Sequence, residues 1–353
     1  MTPGTVLLGF LCILLAAVAG GAFGLQYRVM RKYAVENTSL LSMFCATVPI
    51  PLIACYVLLP GWTSAIVRAG FAANAIVFAF GFCWGLGAIT YAYGFNLLGM
   101  ALAASLLKGI SIAIGSGGPL IRHWKSVAPS ARLAVVGGLA ALLVGTALAG
   151  KAGIERERQF QADRRANPAG PANRASRGGR IFWIGLTMCI LSGVISSGAN
   201  LGYDRADTIE QAMTAVSGTD LTWKVTLVRW MPMYWGGITA LLIFMGGAMA
   251  INGTWRNYLS PGSGRDFAIS SSMGGVHFLA QIPYGIGAYY LGKLGTTVGW
   301  GLNIGMALMV ATALGFVQGE WTGASRRALH TLQAAIAILI AAIAILAYAN
   351  SLA

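Results

Sequence analysis

The chain has 353 residues, 57% of them hydrophobic and only 10% charged, with a mean hydropathy of +0.70, which leaves no material for a sizeable soluble domain. The formal net charge of +14 invites a nucleic-acid reading. The basic residues, however, flank apolar runs instead of forming one patch, which is the signature of membrane topology.

A helix crosses the hydrocarbon core with about 20 mostly apolar residues. In chain order, the first run of that length is Val6–Tyr27, after an uncharged start and before Arg28, Arg31 and Lys32. Its Ala17-Val18-Ala19 resembles a signal-peptide cleavage site, but the preceding segment lacks positive charge and the apolar run is too long, so a first membrane helix is expected. Leu40–Leu59 follows, then Ala75–Asn96 and Leu98–Ile121 joined by a very tight turn, then Leu133–Gly150. Next comes Lys151–Arg180, rich in Arg, Ala, Asn, Pro and Gly and holding eight of the 24 Lys/Arg; too apolar-poor to fold alone, it is expected to be a flexible cytoplasmic linker touching anionic lipid. Five more runs complete the chain: Ile181–Tyr203, Trp230–Ile251, Ile269–Leu291, Leu294–Val317 and Leu329–Leu346.

Runs this apolar do not alternate as barrel strands do, so the expected fold is an all-α membrane protein of ten transmembrane helices. The 48 glycines suit close helix contacts in lipid, and Cys12, Cys45, Cys55, Cys83 and Cys189 all fall within spans and read as small buried hydrophobes. With the N-terminus outside, the cytoplasmic loops carry 15 Lys/Arg and the opposite side eight, so both termini are placed outside.

The two halves, 1–150 and 181–353, look duplicated. Trp84-Gly-Leu-Gly-Ala-Ile-Thr-Tyr-Ala-Tyr-Gly runs into Leu97-Leu98-Gly99, and Pro283-Tyr-Gly-Ile-Gly-Ala-Tyr-Tyr-Leu-Gly into Lys293-Leu294-Gly295. The glycine-rich stretches 19–24 and 192–198 match more loosely. Five spans per half invert the second copy in the membrane. Two inverted five-helix repeats are the layout of secondary transporters with a solute site near the midplane.

At this point the chain resembles the L-rhamnose–proton symporter family of the drug/metabolite transporter superfamily. The resemblance lies in Trp84-Gly85-Leu86-Gly87-Ala88-Ile89-Thr90-Tyr91 followed by Leu98-Gly99-Met100, in Lys151-Ala152-Gly153 with its charged tail, and in Gly319-Glu320-Trp321 with Ala324, Arg326 and Arg327. It implies ten helices and multi-pass residence in a bacterial inner membrane. The implied activity is import of a deoxysugar such as L-rhamnose together with protons. The implied partners are the sugar, protons and the lipid bilayer, with no cofactor, metal or nucleic acid.

Lys108 is the sharpest single signal, an ammonium near the middle of the fourth span, where a charge usually faces a polar cavity. The bland alternative is a packing lysine bonded to backbone carbonyls. The resemblance implies an apolar residue there, so this lysine opens a second reading: a carrier for a sugar acid or other small anionic metabolite, with Lys108 as carboxylate partner. His277 and Gln281 stand one helical turn apart, a titratable group suited to proton coupling beside an amide suited to sugar hydroxyls. Asn303, Asn200 and Gln26 are amides inside apolar runs that must find partners in the solute or in neighbouring helices.

Trp84, Tyr91, Tyr93, Tyr284 and Trp300 are candidates to stack on a sugar ring, while Trp223, Trp230, Trp255 and Trp321 lie at span ends and read as interface anchors. Every acidic residue lies at a span end or in a loop, which leaves His277, Lys108 and Asp204 as candidate proton carriers and argues against an exporter of cationic drugs. Arg229 precedes the seventh span and is expected to snorkel. The three histidines, His123, His277 and His330, lie far apart, so an intramembrane metalloprotease is excluded and the chain reads as no enzyme.

Overall fold

The computed structural model describes residues 3–23, 29–98, 100–166, 180–217 and 222–353, and these are helical throughout apart from short connections. Gln26, Gly99 and residues 167–179 of the expected linker lie outside the described residues. The helices are α1 (Pro3–Ala22), α2 (Val35–Thr47), α3 (Pro49–Leu58), α4 (Trp62–Leu98), α5 (Met100–Arg122), α6 (Pro129–Ala166) and α7 (Arg180–Ser196). They continue as α8 (Gly198–Asp204), α9 (Asp207–Ser217), α10 (Thr226–Asn252), α11 (Gly264–Leu291), α12 (Gly295–Val317) and α13 (Arg326–Ser351).

Among the described residues, eight stretches are long and apolar enough to cross a membrane; α11 and α12 fall within one of them, Gly264–Val317. The surface is inverted relative to a water-soluble protein. Leu11, Val57, Phe71, Leu133, Ile251 and Val317 point outward, whereas Asn37, Ser42, Ser192, Asn200 and Thr297 are buried. Lipid tails solvate the first set, and the second must find partners inside.

Two expected single spans are broken, and a third helix is kinked ahead of its expected span. The second becomes α2 and α3, because Pro49 has no N–H to continue the ladder and Val48 leaves helical geometry (φ −116°, ψ −79°). The sixth breaks at Ser197 into α7 and α8. In α4, Gly70 (φ 82°, ψ 163°) sets the first turns at an angle to the rest, a conformation open to glycine.

Lys151–Ala166, expected as the start of a flexible linker, prolongs α6. The extension is held by polar contacts a hydropathy profile does not register: Arg156 reaches Glu320 at 3.5 Å and stacks over Trp321, Gln159 Nε2 donates to the Gly323 carbonyl at 2.9 Å, and Thr331 Oγ1 donates to Glu155 at 3.0 Å. Trp321 is therefore buried under Arg156 and is not an interface anchor, whereas Trp255 is half exposed. Cys55 and Cys189 are buried as expected, but Cys83 is exposed.

Contacts between helices rest on missing side chains. A methyl on Gly236 of α10 would overlap the Phe78 carbonyl oxygen, and one on Gly81 of α4 would overlap that of Met233, so the backbones of α4 and α10 touch. On the other side of the molecule, a methyl on Gly287 of α11 would come within 2.8 Å of the Gly9 carbonyl oxygen of α1. α4 packs on α7 and α10, α11 on α1 and α2, α5 on α12, and α6 along α13.

Candidate functional site

The interior holds a column of aromatic and polar side chains, with bonded charges at one end. At its middle, Trp84 of α4 stacks on His277 of α11 (ring centroids 5.6 Å, 26°), and Phe23 covers the same imidazole at 4.7 Å. Gln281 Nε2 lies 3.4 Å from His277 Nε2, as their four-residue spacing requires. Trp84 and Gln281 are buried, and His277 is half-buried.

Next along the column, Tyr234 of α10 lies between Trp84 and Trp230, stacking on the latter at 5.7 Å. Trp230 in turn meets Tyr203 at 4.7 Å, and Tyr284 meets Trp300 at 5.1 Å. Trp230 is wholly buried and is no interface anchor, because the turn Thr222–Val225 and the first turn of α10 lie between it and the end of the bundle. Trp300 Nε1 donates to the Ser111 carbonyl of α5 at 3.1 Å.

Asn200 joins this layer to three helices. Its Nδ2 donates to the carbonyls of Gly115 (2.7 Å) and Thr296 (2.8 Å), and its Oδ1 accepts from the Tyr284 hydroxyl. An amide left unpaired in an apolar interior is costly, so these bonds fix where α8 sits between α5 and α12.

Lys108 is half-buried, and among the described residues it has neither hydrogen bond nor ion pair. It shares the face of α5 that carries Ser111 and Gly115, three and seven residues on, which touch Trp300 and Asn200. The ammonium thus belongs to the interior side of α5 but stands apart from the stacked residues. Tyr91 is half-buried on α4 about two turns beyond Trp84. Asn303 is 8% exposed, with no partner for its Oδ1 among the described residues. The structure therefore brings Trp84, His277 and Gln281 together, joins Asn200 to Tyr284 and Trp300, and records no contact tying Lys108 or Asn303 to either group.

One end of the column is closed by ion pairs. Arg122 Nη1 binds Asp204 Oδ2 at 2.9 Å and its Nη2 binds Asp207 Oδ2 at 2.6 Å; His123 Nε2 lies 3.2 Å from Asp204 Oδ1. Burial opposes the Arg122 charge, but bonds and charge from Asp204 and Asp207 outweigh it and raise the pKa above the usual arginine value. Arg229 does not snorkel: it binds Asp207 Oδ1 at 3.0 Å, pairs with Glu210, and lies over the Tyr203 ring. A cavity of about 350 Å³ opens beside these residues, also lined by Thr226, Lys293 and Thr296.

Sequence reasoning placed Asp204 among the site residues but missed Arg122, His123 and Thr296. The available signal was the three-residue spacing of Asp204, Asp207 and Glu210, an acidic stripe that needs a basic counterpart. Among the described residues no group of three or more His, Cys, Asp or Glu side chains is placed to hold a metal ion.

An outwardly apolar helical bundle around a polar and aromatic column defines the class, a multi-pass membrane protein. The chain belongs to the family described as L-rhamnose-proton symport protein (RhaT), whose model matches residues 2–351. It is accordingly a membrane transporter and not an enzyme. An L-rhamnose-proton symporter of Yersinia pestis bv. Antiqua (strain Antiqua) is 22% identical over 359 residues, covering 96% of each chain. One of Yersinia pseudotuberculosis serotype O:1b (strain IP 31758) is 24% identical over 251 residues, which is 70% of this chain and 65% of that relative. A solved protein structure aligns over 98% of this chain and 97% of its own at 15% identity, with a TM-score of 0.48.

Proposed function

We propose that this protein imports a deoxysugar of the L-rhamnose type across a bacterial inner membrane together with protons. The observation that carries the reading is the Trp84–His277–Gln281 group at mid-column in a chain of this family. An aromatic face for sugar C–H groups and an amide for its hydroxyls are what a neutral sugar needs. Trp84, Gln281, Asn200, Tyr91, Asn303 and Lys108 form the substrate set, and His277 and Asp204 the proton-coupling pair. The sugar-acid reading raised by Lys108 is not favoured, since the family and the relatives carry the name of the neutral sugar.

The architecture we read is ten membrane helices in two inverted repeats, 1–150 and 181–353, joined by the basic segment 151–180. Two features support it. Gly264–Val317 contains two consecutive long helices, and α5 adds another 23-residue helix outside the eight apolar stretches. The packing is also nearly unchanged when the halves are exchanged: α1 on α11 answers α7 on α4, α2 on α11 answers α10 on α4, and α6 pairs with α13. Alternating access is then the rocking of one half against the other, with both termini and the Asp204 end of the column outside.

The test is uptake of labelled L-rhamnose into proteoliposomes, with and without an imposed inward proton gradient, and L-rhamnonate in parallel. Uptake of rhamnose stimulated by the gradient is expected. Uptake of the acid alone would make Lys108 a carboxylate site, and uptake of neither would sink the proposal.

A further inference from the structure

The side chain of Asp204 is only 5% exposed, yet it touches both halves of the chain. Its Oδ2 takes Arg122 Nη1 at 2.9 Å from the first half, and its Oδ1 takes Thr296 Oγ1 at 2.7 Å from the second. His123 Nε2 lies 3.2 Å from Oδ1 and lines the same cavity as Asp204, with its side chain 35% exposed against 5% for the carboxylate.

From Asp204 a connected set of groups runs inward. The Thr296 carbonyl accepts from Asn200, and Asn200 accepts from the buried Tyr284 hydroxyl, within the aromatic layer. The charged groups facing Asp204 are Arg122 and His123 from the end of α5, Asp207 and Glu210 from α9, Arg229 from α10 and Lys293 from the turn before α12. Arg229 is taken up by Asp207 and Glu210, so Arg122 is the cationic partner of Asp204 itself, with the His123 ring beside it.

We infer that Asp204 carries the coupled proton, that His123 delivers it from the cavity, and that protonation unlocks the two halves at this end. This rests on the proton-coupled reading above and selects Asp204 over His277 as the carrier. A proton passes from the His123 imidazolium to an Asp204 oxygen, leaving neutral imidazole and neutral carboxyl, and water in the cavity reprotonates the ring. Arg122 then loses its anionic partner at Asp204 and keeps Asp207, on the more exposed side, together with the main-chain carbonyl of Asp204. Protonation at Oδ1 also removes the charge that strengthens the bond from Thr296, so that bond weakens. Because Thr296 holds Asn200, the change reaches the aromatic layer. Loss of the proton restores the lock.

The test compares wild type with Asp204→Asn and Asp204→Glu in proteoliposomes, reading gradient-driven accumulation and counterflow of labelled L-rhamnose separately. Asp204→Asn, isosteric and permanently neutral, is expected to exchange sugar but to lose accumulation driven by the gradient; Asp204→Glu should keep some of it. Accumulation by Asp204→Asn at the wild-type level overturns the proposal, and so does loss of both activities in a variant that purifies as folded protein. Should Asp204→Asn fail to fold, His123→Asn leaves the carboxyl and Arg122 in place. It is expected to slow gradient-driven uptake by at least about tenfold, and an unaltered rate removes His123 and the proposal with it. Failure of the functional reading shows elsewhere, as absence of gradient-driven uptake by the wild type, and that result overturns the proposal too.

Discussion

Lys108 poses the clearest question about a single residue. A charge at membrane depth costs at least about 2.5 kcal/mol on insertion scales, and here no anion or carbonyl among the described residues offsets it. It lies on the α5 face that meets Trp300 and Asn200, so what it faces is the interior of the carrier. Lys108→Met is expected to lower sugar uptake by roughly an order of magnitude, about 1.4 kcal/mol in binding, while membrane insertion stays intact. Initial uptake rates normalised to inserted protein check this, and unaltered rates would reduce Lys108 to a packing residue. The pairing of His277 with Gln281 was legible in the sequence, because residues four apart share a helix face. The lock at Asp204 was not. Arg122 and His123 lie 82 and 81 positions away, at a helix end that in sequence looks like an ordinary polar loop.

Helix positions were legible because lipid imposes a run of about 20 apolar residues on each span, and every expected span falls on helix in the described residues. Breaks were harder to foresee: Pro49 announces one, but Ser197 interrupts a run whose hydropathy is continuous, and the Gly70 kink lies ahead of the expected span. The end of α6 was missed for the opposite reason, since its polar extension is held by contacts with the segment leading into α13 that hydropathy does not register. Close contact between α4 and α10 yields a sharp comparison within one helix. Gly236→Ala drives a methyl into the Phe78 carbonyl, backbone that has nowhere to move, whereas a methyl at Gly246 meets nothing within 4 Å. Gly236→Ala should destabilise the folded protein by roughly 1–3 kcal/mol, and Gly246→Ala should stabilise it by about 0.5–1 kcal/mol. Thermal melting in detergent distinguishes them, and equal melting points would contradict the close approach of α4 and α10.

For the molecule as a whole, helix contacts nearly unchanged on exchange of the two halves support the proposed rocking of one half against the other. Its ends are not equivalent, however. At one end ion pairs join the halves through Arg122 and Asp204, with a cavity beside them, and the aromatic layer from Tyr203 to Trp300 lies directly beneath. In the proposed mechanism the carrier is closed on the Asp204 side and a proton opens it. The proposed duplication rests on the matched glycine and tyrosine strings. The asymmetry was not legible in the sequence, since it arises from side chains that meet only in the folded chain. One measurement tests proton-coupled sugar transport most directly: L-rhamnose is added to de-energised proteoliposomes while the pH of a weakly buffered medium and sugar uptake are recorded together. The account predicts that the medium turns alkaline as the sugar enters. Sugar uptake with no change in pH would contradict it.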